Sequence, residues 1–161
     1  MRRVGQFWRH ASARVTPQES ATAERILGPL APLFLALPVN DQRHGLDVLE
    51  TVTQLEHQPS QLLQQAALLH DLGKSDAHFS VIERSLTVFL RAVSPKILQA
   101  LQRSRPAFAR RYGIYADHAR IGAEELRAAG ATELAAIVAE HHATQPHSEV
   151  TRRLQRADGR N

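Results

Sequence analysis

The chain has 161 residues, 43% of them hydrophobic, which is enough for one domain with its own core and too apolar for a disordered chain. It contains no cysteine, which excludes disulfides, thiolate metal sites and iron–sulfur clusters and leaves His, Asp and Glu to hold any metal. A net charge of +4 with 5% aromatic residues falls short of a nucleic-acid signature, so no specific nucleic-acid partner is expected.

Arg2-Arg3 is not followed by an apolar run of the kind that makes a secretory signal. The most apolar stretch, residues 30–39, carries Pro32 and Pro38 and is shorter than the roughly 20 residues a membrane span needs. The chain is therefore read as soluble and cytoplasmic, without membrane contact. Residues 1–15 form a basic arm whose Phe7 and Trp8 are expected to pack on the domain. Residues 1–39 as a whole are read as an arm and helix packed on a core formed by 40–161.

Thr16-Pro17-Gln18-Glu19 has the pattern of a capping box with proline at the first helical position, so a helix is expected to about residue 27, where Gly28-Pro29 ends it. A short helix is expected over 33–37. Asn40 or Asp41 is read as the cap of a helix over 42–57, with Leu46, Leu49, Val52 and Leu55 as its apolar stripe and His44 in its first turn. Ser60 opens a helix that runs through the wholly apolar Ala66–Leu69 into His70-Asp71, and this helix is expected to be central. Gly73 is read as a sharp turn at its end.

A polar connection over 75–78 leads to helices over 80–93 and 95–103. Residues 105–113 are read as a basic loop with Arg110 and Arg111, followed by a helix over 116–129 that Gly130 stops. Thr132 is read as the cap of a helix ending at His141-His142, and Ser148 as the start of the last, carrying Asp158 at its end. No stretch alternates with period two. The fold class is all-α, a bundle of about seven or eight helices.

His70-Asp71 places two ligand-type side chains at the end of a buried helix, where ionisable groups are costly unless paired or bound to a metal. His44, His118, His141, His142 and Asp158 each sit on or at the end of an apolar helix pattern, and facing helices of a bundle are where metal sites are built. Taken one at a time, each reads more simply as a surface or capping residue; their number and placement are what point to a site.

The order His … His-Asp … His … His-His … Asp resembles that of the HD superfamily of metal-dependent phosphohydrolases. Five segments carry the likeness: RHGLDVLETV, AALLHDLGK, HARIGAEEL (similar to HDIG-type members), IVAEHH and LQRAD, together spanning residues 42–158. The resemblance implies two divalent ions, of Fe, Mn or Mg. His44, His70, Asp71 and Asp158 would bind one, and Asp71, His118, His141 and His142 the other. Asp71 would bridge, since a carboxylate can span two cations about 3.5–4 Å apart. The ions would lower the pKa of a shared water for attack on a phosphoester, and Lys74 would hold a phosphate oxygen.

Asp47, Asp117 and Glu140 are candidates to orient ligand imidazoles, and Arg110, Arg111 and Arg120 to clamp a second phosphate. The expected substrate is a nucleotide or a phosphorylated small molecule. Ala143-Thr144-Gln145-Pro146-His147 lacks the Gly-Tyr-Pro of the cyclic-dinucleotide-cleaving subfamily, so the likeness is to small, stand-alone HD proteins. Two other readings keep the same ligands, a di-iron oxygenase and a regulatory module that binds metal and nucleotide without turnover. Asp158 lies three residues before Asn161, so a frayed C-terminus would weaken that ligand.

Overall fold

The computed structural model describes residues 14–77 and 93–161 together with Glu83, Thr87, Phe89 and Leu90, with side chains left out at 75–77. The arm at 1–13 and most of the expected helix over 80–93 lie outside the described residues. Glu83, Thr87, Phe89, Leu90 and Val93 are helical.

The described residues are all-helical, with no strand among them. Helix α1 (Pro17–Leu27) starts as its sequence dictates. The Thr16 hydroxyl accepts from the Glu19 amide, and the Glu19 carboxylate accepts from the Thr16 amide at 2.8 Å. Gly28, at φ 55°, ends the helix. A 3-10 turn (Gly28–Leu30) passes into α2 (Ala31–Leu35), two residues ahead of the sequence reading. Helix α3 (Val39–Leu55) also begins early. Pro38 precedes it and no side chain caps it, so His44 falls in its second turn rather than its first. The added residues fall in the first turn of each helix, where proline is tolerated and an acidic side chain such as Asp41 is favoured.

Helix α4 (Gln61–Leu69) is capped by Ser60, whose hydroxyl accepts from the Leu63 amide. It is central: α1, α2, α3 and two helices from the C-terminal half all pack on it. Ala66, Ala67, Leu68 and Leu69 are fully enclosed, and Leu27, Phe34, Val48, Val52, Leu126, Leu134, Val138 and Leu154 surround them in one core. The N-terminal segment is joined to this core through Ala23 and Leu27 and through Arg43, which bonds both Glu19 and Asp47.

After α4 the chain tightens into a 3-10 segment (Leu72–Ala77) in place of the irregular connection expected from its polarity. Helices α5 (Pro95–Ser104) and α6 (Pro106–Ala116) follow. The basic loop expected over 105–113 is therefore a helix. Pro106 at its first position is compatible with helix, and the run Ala107 to Tyr112 holds no breaker. The single helix expected over 116–129 is split at Asp117, so that α7 (His118–Ala128) starts on His118 itself. Helix α8 (Thr132–Glu140) starts at Thr132 without a side-chain cap, while α9 (Glu149–Asp158) is capped by Ser148 as its sequence indicates.

Two backbone approaches fix how the ligand-bearing segments meet. A Cβ on Gly45 would lie 2.9 Å from the Leu68 carbonyl oxygen, which sets α3 directly against α4. A Cβ on Gly73 would lie 2.3 Å from the His118 carbonyl oxygen and 2.8 Å from the Gly122 amide, which sets the 3-10 segment on α7. Gly73 is thus required for close approach and not for an unusual backbone angle; positive φ is confined, among the described residues, to Gly28 and Gly130.

Candidate metal centre

All seven of the His and Asp side chains singled out as ligands come together. Asp71, His118, His141 and His142 form one group of potential ligand atoms within 4.8 Å of one another, and His44, His70 and Asp158 form a second. Asp71 stands between them. Its Oδ1 faces His118 Nε2 at 3.5 Å, His70 Nε2 at 3.6 Å and His141 Nε2 at 3.8 Å. Its Oδ2 takes the Lys74 ammonium at 2.6 Å and lies 3.7 Å from His44 Nε2. Asp158 Oδ1 lies 3.1 Å from His44 Nε2 and 3.6 Å from His70 Nε2.

The same backbone device orients three of the rings. His70 Nδ1 lies 3.1 Å from the Ala67 carbonyl, His118 Nδ1 2.8 Å from that of Tyr115, and His141 Nδ1 2.6 Å from that of Val138. Each carbonyl is three residues earlier in the chain. A carbonyl accepts, so Nδ1 donates, and in the neutral ring Nε2 is left to face the cluster as a lone pair. His118 Nε2 faces His141 Nε2 at 3.3 Å, and His142 Nε2 lies 3.1 Å from His118 Nε2.

Electrostatics differ between the groups. Burial disfavours charge on His70, but the Asp71 and Asp158 carboxylates outweigh it and raise its pKa. Positive charge is thus favoured beside these carboxylates. Burial, with the neighbouring His142 and His70, pushes the His141 pKa down to about 3, so its imidazole is a neutral donor at pH 7. Burial also works against ionisation of Asp71, yet the positive charge of Lys74 and His70 holds it well below the usual carboxylate range. Asp158 is likewise lowered, by His44 and His70 beside it, which overcome its burial.

Two polar atoms test whether these residues fit a cation. His70 Nε2 and Asp71 Oδ1 are buried and make no hydrogen bond. Leaving such an atom without a partner costs about 1–3 kcal/mol. Both point into the cluster, alongside lone pairs of neighbouring imidazoles. Neutral imidazole nitrogens and carboxylate oxygens are a donor set for a divalent transition ion, and a cation among them would satisfy both orphaned atoms.

A family model described as Cas3, HD domain, matches residues 34–160. The chain belongs to that family. No curated protein and no solved structure matches it. An HD domain of this composition, with a His/Asp cluster at its heart, is of the metal-dependent hydrolase type.

The residues expected to support the HD ligands are placed differently. Asp47 pairs with Arg43, and Asp117 with Arg120. Glu140 accepts instead from the His147 and Ser148 amides and the Thr151 hydroxyl, so it holds the connection into α9. Of the expected substrate clamps, Arg110 is exposed, Arg111 is engaged by both oxygens of Glu83, and Arg120 is exposed and paired with Asp117 and Glu124. Sequence reasoning did not single out Gly45, the Tyr115 carbonyl or Gln155. A glycine one residue after His44 was the one available signal.

Proposed function

We propose that this HD domain is a phosphohydrolase or phosphodiesterase that acts on a nucleotide or a phosphorylated small molecule through a two-ion centre. The observation that carries the reading is the convergence of the Nε2 atoms of His44, His70, His118 and His141 on the two oxygens of Asp71, with His70 Nε2 and Asp71 Oδ1 buried and unpartnered. His44, His70 and Asp158 would hold one divalent ion, and His118, His141 and His142 the other, with Asp71 shared between them. Bound ions of this kind polarise a phosphoryl oxygen and acidify a water for in-line attack.

The chain's own residues supply the rest. Asp71 stays ionised because Lys74 and His70 lie beside it, so its carboxylate is available as a shared ligand. Lys74 rests on Asp71 Oδ2, 5.9 Å from the centre of the Tyr115 ring, and would move its ammonium to a phosphate oxygen as a point charge. The enclosed faces of His70 and His141 keep bulk water from that side, while His142 is exposed and marks where substrate would arrive. A cavity of about 480 Å³ lies between Glu83, Leu90, Leu101, Phe108 and Arg111. Phe108 and Arg111 precede Tyr115 by two turns and one turn on the same face of α6, and in this reading they would meet the organic part of a substrate.

The test is phosphate release from nucleotides and generic phosphodiesters by protein loaded with Mn²⁺ or Fe²⁺, with and without oxygen. Metal-dependent release in both atmospheres is expected. Oxygen-dependent loss of substrate without phosphate release would refute the hydrolase reading in favour of the oxygenase. Tight nucleotide binding with no turnover would favour the regulatory module.

A further inference from the structure

The double-His turn leaves α8 and is connected to α9 by a short irregular stretch. Within it the Ala143 amide donates to the Glu140 carbonyl at 2.8 Å, a single turn bond with no helix or ladder to reinforce it. Its position is nonetheless fixed from α9. The Gln155 side-chain amide donates to the His141 carbonyl at 3.0 Å and to the Ala143 carbonyl at 2.8 Å. These carbonyls flank His142. At the other end of the stretch, Glu140 accepts from the His147 and Ser148 amides and from the Thr151 hydroxyl at 2.9, 3.0 and 2.7 Å.

Gln155 lies one turn before Asp158 on α9, so the two side chains share a helix face. One rigid helix thus carries a ligand for the first group and grips the backbone that presents two ligands for the second. We infer that Gln155 is a positioning residue that locks the double-His turn to the helix of Asp158, so that the two ligand groups are held in register and filled as a unit. This rests on the reading of the cluster as a metal centre.

Two features make Gln155 suited to the task. Its amide nitrogen has two hydrogens, matching two carbonyls, where a hydroxyl would offer one. It is half-buried on a helix anchored by the enclosed Leu154 and Ala157, so little freedom is lost in making both bonds.

The experiment uses the full chain and two variants of similar size. Gln155→Met keeps the length and removes the donor. Gln155→Glu keeps the shape and turns an acceptor toward both carbonyls. Hydrogen exchange is read at the Ala143 amide in metal-free protein, and Mn²⁺ binding is read by calorimetry, with Arg156→Gln on the exposed side of α9 as control. The expected result is exchange at least tenfold faster at Ala143 and, in line with the 10–100-fold effect of residues that orient ligands, a tenfold or greater loss of Mn²⁺ affinity. The loss is expected to be larger for Glu than for Met, and absent for Arg156→Gln. Unchanged exchange, or faster exchange with an unchanged Mn²⁺ isotherm, would overturn the inference. If the unaltered protein takes up no Mn²⁺, the metal centre itself is refuted, and the Ala143 exchange rate still decides whether Gln155 sets the turn.

Discussion

Replacing Gly73 by alanine tests how the centre is assembled. The new Cβ would stand 2.3 Å from the His118 carbonyl oxygen and 2.8 Å from the Gly122 amide nitrogen, and both neighbours are backbone. No rotamer change can relieve the clash. Restoring an ordinary 3.4 Å contact needs α7 to retreat from the 3-10 segment by about 1.1 Å. Overpacking of this kind costs about 1–3 kcal/mol, which for a chain of this size lowers Tm by roughly 2–12 °C. The larger consequence concerns His118. Metal–ligand distances tolerate only about 0.2 Å, so a shift near 1 Å removes His118 from its group. Gly113→Ala is the control: nothing lies within 4 Å of its Cβ position, and a helical Gly→Ala change stabilises by about 0.5–1 kcal/mol. Thermal melts and metal analysis of both variants decide the matter. A Gly73→Ala protein with unchanged Tm and full metal content would refute the argument that backbone contact sets the ligand geometry.

Asp71→Ala is expected to abolish the binding of both ions, as measured by elemental analysis. It would also destabilise the metal-free protein by about 3–5 kcal/mol, because Lys74 and His70 lose their buried counter-charge. Retention of two ions would contradict the bridging role. Glu140 is lowered to about 2 by its bonds to Thr151, His147 and Ser148, so its contribution to stability is complete above pH 4.5 and is lost as pH falls toward 2. Acid unfolding of Glu140→Gln, followed by circular dichroism, should show a shallower dependence in that window. His141 has the opposite charge type but the same sign of dependence. With its folded pKa near 3, the metal-free protein favours proton uptake by the unfolded chain, so stability falls as pH drops below 6.5. His70, raised in the fold, opposes this, and His141→Gln should leave a net dependence set more by His70. Arg43→Met is expected to cost about 1 kcal/mol in denaturant unfolding, since its guanidinium joins Glu19 of α1 to Asp47 of α3 and is mostly enclosed.

The sequence was most legible where one local rule dominates. The Thr16 capping box, the Ser60 and Ser148 caps and the stop at Gly130 need only neighbouring residues, and the structure reproduces them. The ligands were legible because each lies on an apolar helix pattern and their order resembles a known family. Residues 105–113 were misjudged because their arginines suggested exposure, and exposure was taken for loop. Glu140, readable as a surface carboxylate or as a support for a ligand imidazole, instead ties down the connection into α9. Proximity to His141 in the chain pointed to an imidazole, but a helix-terminal carboxylate meets the amides that fold back over it. Gln155 carries no signal of its own, since its partners are carbonyls 14 and 12 residues away. Asn161 donates to the Thr51 hydroxyl and the Ala157 carbonyl, partners too distant in the chain or too ordinary to be read from it, and this fastens the end of α9 to α3.

The Nδ1–carbonyl anchors have a consequence for the energetics of the empty and filled states. Because His118 and His141 are each tied to backbone, their Nε2 atoms are held facing each other at 3.3 Å, and the His141 ring is neutral at pH 7. The helices hold that pair of nitrogens in place. A cation bound beside them would draw on both, so the bonds that orient the rings in the fold also orient them for a cation. Fold stability and cation affinity are therefore linked, since a cation that binds only the folded chain stabilises it by mass action. A substitution that loosens the core without touching any ligand should register first as metal dissociating more easily.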